Sequence, residues 1–258
     1  MPLICSAIAR FRPTVYFMIP NTVKILAFDA AGTIIEPYPA VHHAYCEVAK
    51  LFGFVLDPLE IKQRFPNAMN RYFPLSWESQ KARTNQDQQW TTWRGLVSEV
   101  LQEIPADKIE PVFVALWDHF RQPQHWFVYP DVASTLSALK QRGYILCAVS
   151  NFDQRLYDIA KGSPDLSCID HWFASVDVGY QKPCVEFFRT VEERLGAASH
   201  QFLMVGDSLE ADYRGAQNAG WHARWLQRNA DQQAAANTAS QQSTSLPTET
   251  IRSLHELL

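Results

Sequence analysis

The sequence predicts an α/β fold: a Rossmann-like, doubly wound parallel sheet with an all-helical domain inserted into it. Three observations predict this. Short apolar runs recur and end in polar residues. Helical periodicity separates the later runs. The rhythm breaks once, from about Glu36 to Val128, where no clear strand pattern is visible.

The first run, V-K-I-L-A-F at 23–28, ends at Asp29 and is soon followed by Gly32. It is brief and almost wholly apolar, which reads as a buried parallel strand. Beyond it, segments such as V-H-H-A-Y-C-E-V-A-K-L-F-G and E-P-V-F-V-A-L-W-D-H-F have helical spacing. Five of the eight tryptophans (Trp77, Trp90, Trp93, Trp117 and Trp126) fall here and read as the core of a helical cap over 36–128.

The sheet resumes at 129. A helix begins at a capping Asp131 and stops at Gly143. The second strand, Y-I-L-C-A-V at 144–149, ends at Ser150 and Asn151. W-F-A-S-V at 172–176 is the third, and a helix closing at Gly196 follows. F-L-M-V at 202–205 is the fourth and ends at Gly206-Asp207; H-A-R-W-L at 222–226 is the fifth. The core therefore comprises 23–35 and 129–226.

Residues 1–22 form an N-terminal extension. Its arginines follow the short apolar run instead of preceding it, which argues against a secretory signal. Arginines without acids also suit a mitochondrial presequence, and Met18 is an alternative natural start to Met1. Residues 227–248 are polar and small, a flexible segment, and 249–258 read as a closing helix on the core.

Composition removes some functions. The net charge is -4 and no basic run appears, so nothing points to nucleic acid. No apolar stretch approaches the roughly 20 residues needed to span a bilayer. The five cysteines are scattered and lack zinc-site spacing, which suits a reducing cytoplasm.

In an open parallel sheet, ligands bind beyond the carboxyl ends of the strands. Asp29, Ser150-Asn151 and Asp207 each follow an apolar run, and Lys182 lies just past the third. Each is ordinary alone, since an Asp after a strand usually caps a turn. Together they suit phosphoryl chemistry. Asp29 can attack phosphorus and split a hard displacement into two easier ones. Asp29 and Asp207 are hard oxygen ligands suited to Mg²⁺. Ser150, the Asn151 backbone N–H and Lys182 can hold phosphoryl oxygens.

D-A-A-G-T, V-S-N, Q-K-P and G-D-S-L-E-A-D resemble, in order, the four motifs of the haloacid dehalogenase superfamily. The resemblance runs from about Val23 to Leu226. The helical insert resembles the C1 cap of subfamily I. Further segments, such as V-S-N-F-D-Q-R-L, resemble one group whose substrates are poorly defined. The resemblance implies a hydrolase with Asp29 as nucleophile and magnesium ligand, and the Ala31 carbonyl as a second ligand. Ser150 and Lys182 become the phosphate-binding pair, and Asp207 an acidic metal ligand. Asp212 becomes a further acid acting through metal-bound water, with Glu210 as a nearby rival.

Phosphatases of the superfamily usually have a second Asp, two residues after the nucleophile, which protonates the leaving group. Here that position is Ala31, and Cys184 replaces the Asp usual after Lys-Pro. The expected substrate is a small phosphorylated molecule, hydrolysed through an aspartyl-phosphate. Glu36, His42 and His43 are candidate replacement acids. One alternative is carbon–halogen or carbon–phosphorus hydrolysis, the latter needing a cap lysine such as Lys50, Lys62 or Lys81. Another is a non-enzymatic phosphate- or partner-binding protein. The sequence carries no signal for oligomeric state.

Overall fold

A computed structural model describes residues 18–228, 247 and 249–258. Most of the N-terminal extension, Cys5, and nearly all of the polar 227–248 segment lie outside the described residues. Strand β1 (Ile25–Phe28) leads to β2 (Ile35–Pro37) and then to five helices. These are α1 (Val41–Leu51), α2 (Pro58–Tyr72), α3 (Ser79–Ala82), α4 (Gln86–Val100) and α5 (Ile109–His119). After β3 (Trp126–Val128), helix and strand alternate: α6 (Val132–Gln141), β4 (Ile145–Ser150), α7 (Arg155–Lys161), β5 (His171–Ala174), α8 (Ser175–Val178) and α9 (Val185–Leu195). The core ends with β6 (Phe202–Gly206), a π-helical stretch at Leu209–Arg214 running into α10 (Gly215–Asn218), β7 (His222–Leu226) and β8 (Thr250–Ile251).

The main sheet has the order β5-β4-β1-β6-β7-β8, and every pairing is parallel. Ala27 of β1 lies opposite Cys147 on one side and Met204 on the other. Successive side chains point to opposite faces, so a strand covered on both faces must be apolar throughout. Leu26, Phe28, Leu146, Ala148, Leu203 and Val205 pack with Leu136 and Leu139 of α6 and Leu156 of α7. Ile25, Ala27, Cys147, Val149, Phe202 and Met204 pack with Phe187, Phe188 and Val191 of α9. Each large side chain so buried contributes about 1.5–3 kcal/mol.

Four local readings need correction. The 172–176 run is a strand only to Ala174; Ser175 and Val176 belong to α8. The closing segment is not a plain helix. It first adds β8 to the sheet edge, then makes a 3₁₀ turn at Leu254–Leu257, with Ile251, Leu254 and Leu257 in the core. Asp131 does not cap α6: its backbone is already helical (φ -85, ψ -4) and its side chain turns elsewhere. It accepts hydrogen bonds from Arg228, Ser253 Oγ and the Leu254 backbone, and so ties the end of the chain to the core. Finally, strands do occur at the margins of the 36–128 stretch. β2 and β3 form an antiparallel ribbon, with Ile35 opposite Val128 and Pro37 opposite Trp126. Three residues per strand are too few to show an alternating pattern.

The five helices leave from this ribbon and return to it, and they bury a separate cluster that includes Tyr45, Ile61, Leu96, Val112, Phe113 and Trp117. Their ends follow ordinary capping chemistry. Asp57 accepts from Leu59 N at 2.8 Å before α2, and Asn85 from Gln88 N at 2.9 Å before α4. The Trp90 ring meets Phe113 and Trp117 at 4.7 and 4.8 Å. Trp77 departs from the core expectation and is 45% exposed. The stretch before α4 also grips the main fold: Thr84 N donates to Gly179 O and Gln181 N to Ala82 O. The loop that carries Lys182 is therefore held partly by the inserted helices.

Candidate active site

Four strands and loops deliver their polar residues to one point. Asp29 extends the β1 ladder by one bond, its N–H donating to Val205 O at 2.9 Å. The chain then turns back at once, with the N–H groups of Thr33, Ile34 and Ile35 all reaching the Ala30 carbonyl. Gly32 makes this turn at φ +82, and any Cβ there would collide with the Asp207 carboxylate. Thr33 Oγ1 accepts from Asp207 N at 3.1 Å, which fixes the Asp207 loop against the turn.

Asp212 arrives from the π-helical stretch. There the Ser208 carbonyl accepts from both Asp212 N and Tyr213 N, which widens the turn and directs Asp212 inward. Gly206 leaves room for its carboxylate. Oxygens of Asp29, Asp207 and Asp212 all lie within 4.8 Å of one another.

Lys182 joins this cluster. It is 1% exposed and uses all three of its donors: to Asp29 Oδ1 at 2.7 Å, Asp212 Oδ1 at 2.6 Å and Val149 O at 2.7 Å. Burial opposes its charge, but the carboxylates of Asp212 and Asp29 outweigh burial and raise its pKa. Asn151 holds the lysine in place. Its side-chain amide donates to Lys182 O at 2.8 Å and accepts from Lys182 N at 2.7 Å. Ser150 is buried at the end of β4, and its hydroxyl lines the cavity with no protein partner among the described residues.

Three carboxylates against one ammonium leave two negative charges uncompensated when all are ionised. The site resists that state. Loss of water, then repulsion by Asp29 and Asp212, holds Asp207 well above the usual carboxylate range. Burial pushes Asp212 up to about 6 despite Lys182 beside it. Asp212 has both oxygens engaged, by Lys182 and by Ser208 N. Asp29 has one oxygen not used by Lys182, and the Ala31 carbonyl accepts no hydrogen bond among the described residues. The clustered carboxylates, with Asp29 keeping an oxygen that Lys182 does not use, could hold a small divalent cation through hard oxygen donors.

Asp29, Ala31, Ser150, Asn151, Lys182 and Asp212 all line one cavity of about 380 Å³ between sheet and inserted helices. The replacement acids suggested by sequence do not reach it. Glu36 is exposed and accepts from Tyr129 OH, while the His42 and His43 rings lie against each other on α1, tilted, with centroids 4.2 Å apart. Lys50, Lys62 and Lys81 are exposed and do not line the cavity. Glu210 pairs with Arg214 at the surface, so Asp212 rather than Glu210 joins the cluster.

Sequence reading missed Asp153 and Arg155. Both are buried and form a two-pronged ion pair at 2.8 and 2.6 Å on the cavity wall, with the guanidinium 3.8 Å over the Trp117 ring. Their signal was F-D-Q-R, opposite charges two residues apart directly after a strand end.

A profile of the haloacid dehalogenase-like hydrolases matches residues 23–220. The haloacid dehalogenase-like hydrolase domain-containing protein 3 of Mus musculus is 30% identical over 207 residues, covering 78% of this chain and 80% of its own. A haloacid dehalogenase-type phosphatase from Thermococcus onnurineus superposes with a TM-score of 0.62 at 24% identity, covering 91% of this chain and 96% of that one. L-2-haloacid dehalogenase from Xanthobacter autotrophicus superposes with a TM-score of 0.67 at 18% identity, with the same two coverages. Phosphatase and dehalogenase share this fold, so fold alone does not choose the reaction.

Proposed function

This chain belongs to the haloacid dehalogenase-like hydrolases, and on that premise we propose that it is a magnesium-dependent phosphohydrolase of small phosphorylated molecules. The observation that supports this reading is the surplus of acid at the site. Asp29, Asp207 and Asp212 converge, and the one lysine among them pairs only with Asp29 and Asp212. Displacement of halide by one carboxylate, followed by hydrolysis of the ester so formed, uses at most one further acid as a base for water. A cation site has a use for both Asp207 and Asp212. Asp29, Asp207 and the Ala31 carbonyl would hold Mg²⁺, with Asp212 acting through a water because its own oxygens are engaged. Bound there, Mg²⁺ would neutralise the surplus and draw charge from the phosphoryl oxygens.

The chain's own groups do the rest. An Asp29 oxygen forms a bond to phosphorus while the ester P–O bond breaks, and the electron pair leaves with the departing oxygen. The Ser150 hydroxyl and Asn151 N–H donate to the phosphoryl oxygens, and Lys182 offsets their charge. Water then bonds to phosphorus as the P–O bond to Asp29 breaks. Phosphate leaves, the water proton passes to solvent, and Asp29 returns as a carboxylate. Ala31 supplies no acid for the departing oxygen, so the reading favours leaving groups that need little protonation. The inserted helices serve as the cap, closing on the Lys182 loop through Thr84 and Ala82. No helix of the described residues is long and apolar enough to cross a membrane. The free thiols of Cys46, Cys147, Cys168 and Cys184 suit a cytoplasmic setting.

The test is a panel of phosphate esters, acyl phosphates, haloacids and phosphonates, each with Mg²⁺ and with excess chelator. Phosphate release that needs Mg²⁺ and disappears in Asp29→Asn is expected. Halide release that persists in chelator would overturn the reading in favour of a dehalogenase.

A further inference from the structure

We infer that the group carried by the phosphate is flat, apolar and aryl-like, with an acceptor oxygen that Arg155 takes. This deepens the phosphohydrolase reading and rests on it. The aromatic part of the cavity wall points to such a group. Beyond Asp29, the cavity is bounded by Phe65, Phe73, Trp93, Phe113, Trp117 and Trp126, with Leu75 at its half-exposed rim. The Phe73 and Trp93 rings stand 4.7 Å apart, and Tyr45 meets Phe65 edge-on at 5.7 Å. Such walls match the faces and edges of a planar ring. They suit a sugar poorly, because hydroxyls facing these rings would lose water without gaining a partner. A cavity of about 380 Å³ also accommodates a ring beside a phosphate.

Polar side chains interrupt this wall at Tyr45, Gln89, Asp153, Arg155 and Gln181, and Arg155 is the one with a spare charged donor. Arg155 has a side chain only 7% exposed; its Nε and Nη2 are committed to Asp153, and it lies over Trp117 and Trp93. Its third nitrogen, Nη1, has no protein partner among the described residues. The Tyr45 hydroxyl, on a side chain 2% exposed, is likewise without one. Both residues line the cavity. Nη1 therefore keeps a charged donor on the cavity side, where an acceptor oxygen of a ligand can take the place of water. Asp153 neutralises the net charge, so the ligand need supply only an acceptor oxygen, not a second phosphate.

Two measurements separate this inference from the reaction it rests on. Binding of phenylphosphonate, carboxyphenylphosphonate and methylphosphonate is followed by tryptophan fluorescence with Mg²⁺ present. Turnover of phenyl, naphthyl and glycerol phosphates is followed by phosphate release. The aryl phosphonates should bind at least about tenfold tighter than methylphosphonate. Trp93→Ala should weaken them roughly three- to tenfold. Arg155→Lys should remove the advantage of the carboxyphenyl over the phenyl compound. Leu75→Asp, at an exposed position that the fold tolerates, should also weaken aryl binding and guards against misfolding of the Trp93 variant. Equal binding of aryl and methyl phosphonates, or turnover of glycerol phosphate matching that of phenyl phosphate, would overturn the inference. Tight aryl phosphonate binding without turnover of any phosphate ester would leave the cavity's preference standing and refute the phosphohydrolase reading instead.

Discussion

Replacing Ala31 by Asp should raise turnover of alkyl phosphates far more than that of aryl phosphates. Ala31 lines the same cavity as Asp29, and no carboxyl or imidazole in that lining is left over to protonate a departing oxygen. Lys182 spends its three hydrogens on Asp29, Asp212 and Val149; Asp212 is held by Lys182 and Ser208; Asp153 is held by Arg155. A new carboxyl would therefore meet no competitor. Loss of water beside the apolar cavity wall would favour its protonated form, which is the form needed. Positioned acid catalysis is worth about 10²–10⁴-fold, or ~3–5 kcal/mol of barrier. An alkoxide needs nearly all of that help, and an aryloxide very little. The expected gain is thus within that range for glycerol phosphate and under about threefold for phenyl phosphate. Steady-state kinetics with Mg²⁺, on wild type and variant in parallel, measure both. Equal gains on the two substrates would refute the reasoning. So would no gain on glycerol phosphate in a folded variant that still turns over phenyl phosphate.

Asp207→Ala should abolish Mg²⁺ binding by titration calorimetry while thermal stability holds or rises, because it removes a repelled carboxylate; unchanged affinity would remove Asp207 from the ligand set. Asp131→Ala should destabilise the fold by about 1–3 kcal/mol in urea, since Arg228, Ser253 and the Leu254 N–H lose their common acceptor. Stability should also fall as pH drops from His119's ordinary value of 6.5 towards about 4. Burial, then the stacked His125 3.6 Å away, disfavours its protonation in the folded state, so across this window the unfolded chain binds the extra proton. Denaturation midpoints at several pH values should show this slope, and His119→Gln should flatten it.

The long strands were legible because a strand covered on both faces has no choice but to be apolar, and their ends marked where Asp29, Ser150 and Asp207 would meet. The short elements were not. β8 pairs two residues, and each strand of the β2–β3 ribbon three, too few for any period to register. Asp131 misled because an Asp before a helix usually caps it, whereas here a partner 97 residues away competes successfully for its oxygens. Asn151 was read for its backbone, but its side chain clamps Lys182, a long-range pairing that no local pattern encodes. Composition alone assigns the cap aromatics to the core. Phe113 and Trp117 are indeed buried, yet they also line the cavity, and only the packing of the helices decides which ring edge faces a ligand.

The central claim is that Asp29 bonds to phosphorus and that water then attacks that phosphorus. A single turnover of phenyl phosphate in heavy-oxygen water, with enzyme in excess, tests it directly. Mass spectrometry of the released phosphate and of the peptide containing Asp29 follows the label. The account predicts one heavy oxygen in the phosphate and none in Asp29, because the Asp29 oxygen stays with its own carbon throughout. Heavy oxygen in the Asp29 carboxylate would mean that water attacks the side-chain carbon, as for an ester intermediate, and would contradict the account.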